Sequence, residues 1–142
     1  MPQVYPGIQS GGRTRHIINM ASPGNEEELA YTFTEATDAP SAATAGYKNP
    51  GLQKTLHVLL MNNNAGTCKF RVWGYHSFAK KWGVLQIIDP ADGGNNVVEI
   101  TMVADADAHV ILSIEGLERI AVQCSTWAGS NNVTCYLGVN TI

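Results

Sequence analysis

The sequence predicts an all-β domain, an antiparallel β-sandwich of jelly-roll type with eight or nine short strands and an extended N-terminal arm. Apolar and polar residues alternate with a period of two in one run after another. The runs recur about every 8–12 residues, and Gly, Asn, Asp and Pro cluster between them as turn formers. No internal repeat or domain boundary is visible, and 142 residues suffice for one hydrophobic core. The organisation this predicts is an arm over residues 1–12 and a single sandwich over residues 13–142.

Pro2, Pro6, Gly7, Gly11 and Gly12 forbid helix and interrupt a strand in the arm. Val4, Tyr5 and Ile8 are apolar beads along it. A plain tail would explain them, and so would an arm that docks on a neighbouring subunit. Leu29, Tyr31 and Phe33 then share one face of a strand, with Thr32 and Thr34 on the other; Asn25 before Glu26, Glu27 and Glu28 could instead cap a short helix. Residues 36–52 are small and carry Pro40, Gly46, Pro50 and Gly51, so they predict a long contact loop, with Tyr47 its aromatic residue.

Leu56, Val58 and Leu60 alternate, as do Cys68, Phe70 and Val72. Between them Asn62, Asn63, Asn64 and Gly66 suit a turn that needs positive φ, so residues 55–61 and 68–75 are expected to form a hairpin. Lys69, Arg71, Trp73 and Tyr75 should face outward. Residues 82–88, 96–103 and 109–115 predict three further strands, with Val98, Ile100 and Met102 on one face and Val110, Leu112 and Ile114 on another. Residues 119–126 and 133–140 flank a Gly/Ser/Asn turn, and a symmetric hairpin would oppose Ile120 with Val139, Val122 with Leu137 and Cys124 with Cys135. At Gly116, a three-residue loop would pair Glu115 with Arg119; a crossing between two sheets is equally allowed.

Composition narrows the function. Charged residues make up 15% of the chain, against roughly 25% in soluble domains. That leaves a surface rich in small polar and apolar groups, suited to lasting contact with partners. The net charge is −3 and no basic run exceeds Lys80 and Lys81, so neither nucleic acid nor an anionic membrane is an expected partner. Residues 1–20 hold no continuous apolar segment, and no stretch approaches the length of a membrane helix; synthesis in a cytoplasm and a soluble chain are expected. Three cysteines without a Cys-x-x-Cys spacing argue against a disulfide framework and a zinc site.

No residue pattern predicts catalysis. His76 and Ser77 are neighbours and point to opposite faces of a strand. Gly93 and Gly94 precede a strand rather than a helix, so they make no phosphate cradle. Asp105, Asp107 and His109 alternate and could share a cation, but an acidic turn feeding a strand explains them better, since no second ligand cluster accompanies them. The expectation is therefore no catalytic residue, no metal and no cofactor. Outward aromatic residues, Trp73 and Trp82 above all, fit protein contact better than sugar stacking in so weakly charged a chain.

With its Pro/Gly arm, its many short strands, its low charge and the closing run from Leu117 through Val122 and from Thr134 through Val139, the chain resembles the small β-sandwich virion proteins of tailed bacteriophages, the head decoration or cement proteins in particular. The resemblance is one of style over the whole chain rather than of a diagnostic motif. It implies a non-enzymatic protein, often a homotrimer, that sits on the outer capsid surface and braces neighbouring copies of the major capsid protein. Val4, Tyr5, Ile8, Tyr47, Trp73 and Trp82 are then the expected partner-binding residues. The alternative expectation is a receptor- or carbohydrate-binding sandwich of head-fibre, tail or adhesin type.

Overall fold

The computed structural model describes residues 15–16, 30–49, 52–89 and 95–140. Twelve strands run through them: β1 (Arg15–His16), β2 (Ala30–Phe33), β3 (Tyr47–Lys48), β4 (Thr55–Asn62), β5 (Cys68–His76), β6 (Lys81–Val84), β7 (Ile87–Asp89), β8 (Asn95–Val97), β9 (Ile100–Met102), β10 (Asp107–Ser113), β11 (Arg119–Thr126) and β12 (Val133–Asn140). All pairs are antiparallel. One sheet has the order β2, β12, β4, β10, with β1 on the same edge of β12 as β2; the other has β3, β11, β5, β6, with β9 also on β5. The ribbon of β7 and β8 stands apart.

That order is a long hairpin rolled on itself, the jelly-roll arrangement. Nested pairs run from the outside inward: Tyr31 with Cys135, Tyr47 with Ile120, Val58 with Val110, and Phe70 with Ile100. Rolling then lays β12 beside β4 and β11 beside β5. From β2 to β5 and from β9 to β12, successive strands therefore alternate between the two sheets.

This corrects both expected long hairpins. β4 and β5 lie in different sheets, as do β11 and β12, so the segments between them are arches. Most core faces expected from alternation hold: Leu56, Val58, Leu60, Cys135, Leu137 and Val139 line one sheet, and Cys68, Phe70, Val72, Ile120 and Cys124 line the other, whereas Val98, expected beside Ile100 and Met102, is exposed where the strand breaks. The two linings meet across the sandwich rather than side by side. Cys124 and Cys135 are accordingly free thiols, and burial pushes them up to about 11 and about 12. The Gly116 turn is likewise a crossing. Lys54, not Arg119, pairs with Glu115 at 3.7 Å. Two of the expected strands also break, so residues 82–88 and 96–103 each contribute to two shorter ones.

Edge-to-face aromatic contacts join the layers. Tyr31 and Phe33 of β2 are 4.8 Å apart between ring centroids; Phe33 reaches Phe70 at 5.1 Å, and Tyr31 reaches Tyr47 at 5.7 Å.

Buried asparagines close both ends. Asn62 Nδ2 donates to the carbonyls of Gly66, Met102 and Val103, and its Oδ1 accepts from the Asn64 amide. Asn64 Oδ1 accepts from the Asn131 amide at 2.7 Å. Three arches are thereby tied together: β4 to β5, β9 to β10 and β11 to β12. None of these asparagines has positive φ, so their side chains, rather than their backbone tolerance, explain their presence. Gly129 does have φ +117°, and any side chain there would collide with Asn64. At the opposite end Asn49 donates to the carbonyls of Gln53 and Leu117, and accepts from the Gln53 amide.

Replacing Asn62 with Ala strands buried carbonyls in two arches without a donor. The expected cost is about 3 kcal/mol, read as a lowered midpoint in urea denaturation. An unchanged midpoint would show that the arches hold without this amide.

Candidate interaction surface

The two outer faces differ in kind. On the second sheet, alternation along β5 sends Lys69, Arg71, Trp73 and Tyr75 outward, with β11 on one edge and β9 then β6 on the other. Most of these groups are engaged within the chain. Trp73 Nε1 donates to Gln123 Oε1 at 2.8 Å. Arg71 Nε meets Glu99 Oε2 at 3.3 Å, and the Ser125 hydroxyl donates to the same oxygen at 2.6 Å. That hydroxyl chiefly holds the Glu99 carboxyl below its usual value; partial burial opposes it, and Arg71 and Lys69 add to it.

The expected contact loop lies against this face and is pinned by β11. Arg119 donates to the carbonyls of Thr44, Ala45 and Gly46. The Cys124 amide donates to the Thr37 hydroxyl, and Trp82 Nε1 donates to the Ala42 carbonyl at 2.9 Å. Gly46, at φ +67°, is in such close contact with the Ile120 carbonyl and the Trp82 ring that a Cβ would not fit. Beside the loop, Tyr75 and Trp82 stand 5.4 Å apart. An open cleft of about 490 Å³ adjoins them, lined by Lys48, Asn49, Leu52, Tyr75, Glu118 and Arg119.

Of the sequence-predicted residues, Trp73 and Trp82 thus share one face and are half-buried by their own chain. Tyr47 points the other way. It packs against the core beside Tyr31, and burial holds its hydroxyl far above the ordinary tyrosine range. Val4, Tyr5 and Ile8 lie outside the described residues, as do Leu29 and the glutamates at 26–28. Asp105, Asp107 and His109 do not converge: no group of three metal-ligating side chains occurs among the described residues.

The outer face of the first sheet was missed. Register places Leu59 between Tyr136 and His109, His57 between Gly138 and Ile111, and Met61 between Thr134 and Asp107. Ile111 is 59% exposed and Tyr136 38%, and Leu59 and Met61 are half-buried beside them. The face mixes these apolar residues with His57 on the interior strand β4 and with His109 and Asp107 on the edge strand β10. Its signal was available: β4 carries consecutive apolar residues at 58–61 and β10 carries them at 110–112, which breaks the alternation expected of a strand wet on one side. Phe78, at the tip between β5 and β6, is 87% exposed and was also missed.

The fold defines the chain as a jelly-roll β-sandwich protein. Among solved structures it is similar to the SPBc2 prophage-derived protein YomS, with a TM-score of 0.53 and 16% identity over 78% of this chain and 90% of that one. At that identity the likeness is one of fold. No protein-family model matches the sequence, and no curated protein matches it.

Because the folded state depresses the Glu99 pKa, its contribution is present above pH 4.5 and is lost as pH falls through the lowered value. Glu99→Gln should flatten the acid limb of stability against pH, followed by thermal melting from neutral pH downward. Superimposable curves for the two proteins would remove Glu99 from the account.

Proposed function

We propose that this chain is a structural virion protein of a tailed bacteriophage, binding the outside of the capsid and bracing contacts between neighbouring major capsid subunits. The observation that carries the proposal is the apolar outer face of the first sheet, set on a rigid double-layered scaffold. Burial of such a face gains about 25 cal/mol per Å² before ordering costs. Repetition of a modest contact over a symmetric shell multiplies its effect. The fold shared with a prophage-derived protein supports the same setting. In this proposal the protein is a homotrimer whose 1–12 arm, with Val4, Tyr5 and Ile8, adds a second contact.

Expanded phage heads lacking the protein provide the test. Full chain, a 1–12 truncation and the double variant Ile111→Asp, Tyr136→Asp are compared by co-sedimentation, with circular dichroism confirming the fold. Wild type should bind, and the double variant should bind roughly a hundredfold more weakly. The truncation should bind detectably less well. Native mass by light scattering should stand near three times 15.3 kDa. Equal binding by all three proteins would sink the proposal.

A second reading rests on the Tyr75 and Trp82 rings beside the 490 Å³ cleft. Flat rings stack on sugar faces, and the exposed Lys48 and Glu118 at the cleft would meet hydroxyls. A glycan array decides it: saturable binding lost in Trp82→Ala would favour a carbohydrate-binding module, and a blank array would reject it.

A further inference from the structure

We propose that His57 and His109 form a two-imidazole chelate for a divalent transition cation such as zinc, nickel or copper. β4 and β10 are adjacent antiparallel strands in which Ile111 directly opposes His57 and Leu59 directly opposes His109. The two histidines are therefore diagonal neighbours on one face, a spacing that side chains can bridge. His57 Nδ1 and His109 Nε2 lie 3.4 Å apart, and the rings are 5.6 Å between centroids with 25° between their planes.

A proton shared between two neutral imidazoles would account for that separation. A metal bite needs the same separation once both rings turn to aim their lone pairs at one ion. With metal–nitrogen bonds of about 2.0–2.1 Å, two nitrogens on one tetrahedral zinc stand about 3.3–3.4 Å apart. The ligand type selects the ion: imidazole suits zinc, nickel and copper, whereas magnesium and calcium take oxygen. Both Cα positions are held by sheet pairing, so the donors are already brought together. Asp107 adds negative charge two residues before His109 on the same face. The described residues include no group of three metal-ligating side chains, and the pair supplies two nitrogens to the ion. Protons compete for the same lone pairs, and binding weakens on acidification.

Such an ion would clamp the edge strand β10 onto β4, independently of any capsid contact. The test is calorimetric titration of the tag-free full chain with zinc chloride at neutral pH, with magnesium chloride as the control. One saturable zinc site is expected, weakened roughly tenfold or more in both His57→Ala and His109→Ala, and no magnesium heat. Imidazole nitrogen NMR should show zinc-induced shifts at His57 Nδ1 and His109 Nε2, a readout that does not depend on any variant folding. The proposal is overturned if millimolar zinc gives no saturable binding, if both variants retain wild-type affinity, or if those two nitrogens do not respond.

Discussion

The side-chain amides of Asn62 and Asn64 hold one whole end of the sandwich. Arches that cross from sheet to sheet cannot satisfy their own backbone groups by ladder pairing. In this chain three arches meet at one end, and Asn62 supplies donors to carbonyls of two of them while Asn64 accepts from the third. Asn63 adds a double link, its amide to the Asn132 carbonyl at 3.0 Å and its side chain to Asn132 Oδ1 at 2.7 Å. An asparagine fits because it presents donor and acceptor on a short stem with no charge to desolvate. The arches at this end of the rolled hairpin are thus closed by amides buried where the chain changes layers.

Much of the fold was legible in the sequence because a core face depends only on local alternation. Leu56, Val58 and Leu60 point inward whichever strand lies beside them. Pairing partners were not legible, because the choice between a hairpin and an arch is made by residues far apart in sequence. Cys124 and Cys135 show the distinction: both were correctly assigned to apolar faces, and yet they belong to different sheets. The asparagines at 62–64 were recognised as a turn, but a local signal could not reveal that carbonyls at 102 and 103 would come to them. For the candidate surface, conspicuous aromatic residues drew attention to the second sheet. Trp73 and Trp82 proved to be largely occupied by Gln123 and Ala42 of their own chain. The quieter signal was an apolar residue where alternation called for a polar one.

The two outer faces divide the labour of the sandwich. One is stitched to its own loop by Arg119 and Trp82 and kept polar by the Arg71, Glu99 and Ser125 cluster. The other has Leu59, Met61, Ile111 and Tyr136 along its surface. A protein stiffened on one side and apolar on the other has an orientation, which is what attachment to a larger body requires.

The nested pairing also orders events in time. β12 is the lateral partner of β4 and the outer partner of β2, so it bonds with strands made long before it. The first sheet cannot join β2 to the β4 and β10 pair until residues 133–140 exist. During synthesis β5 and β6 can pair at once, being joined by a four-residue turn, while β4 must wait for β10 on one edge and for β12 on the other. The first sheet is therefore completed only once β12 has been made, and until then the apolar run at 58–61 lies on a strand with one edge unpaired.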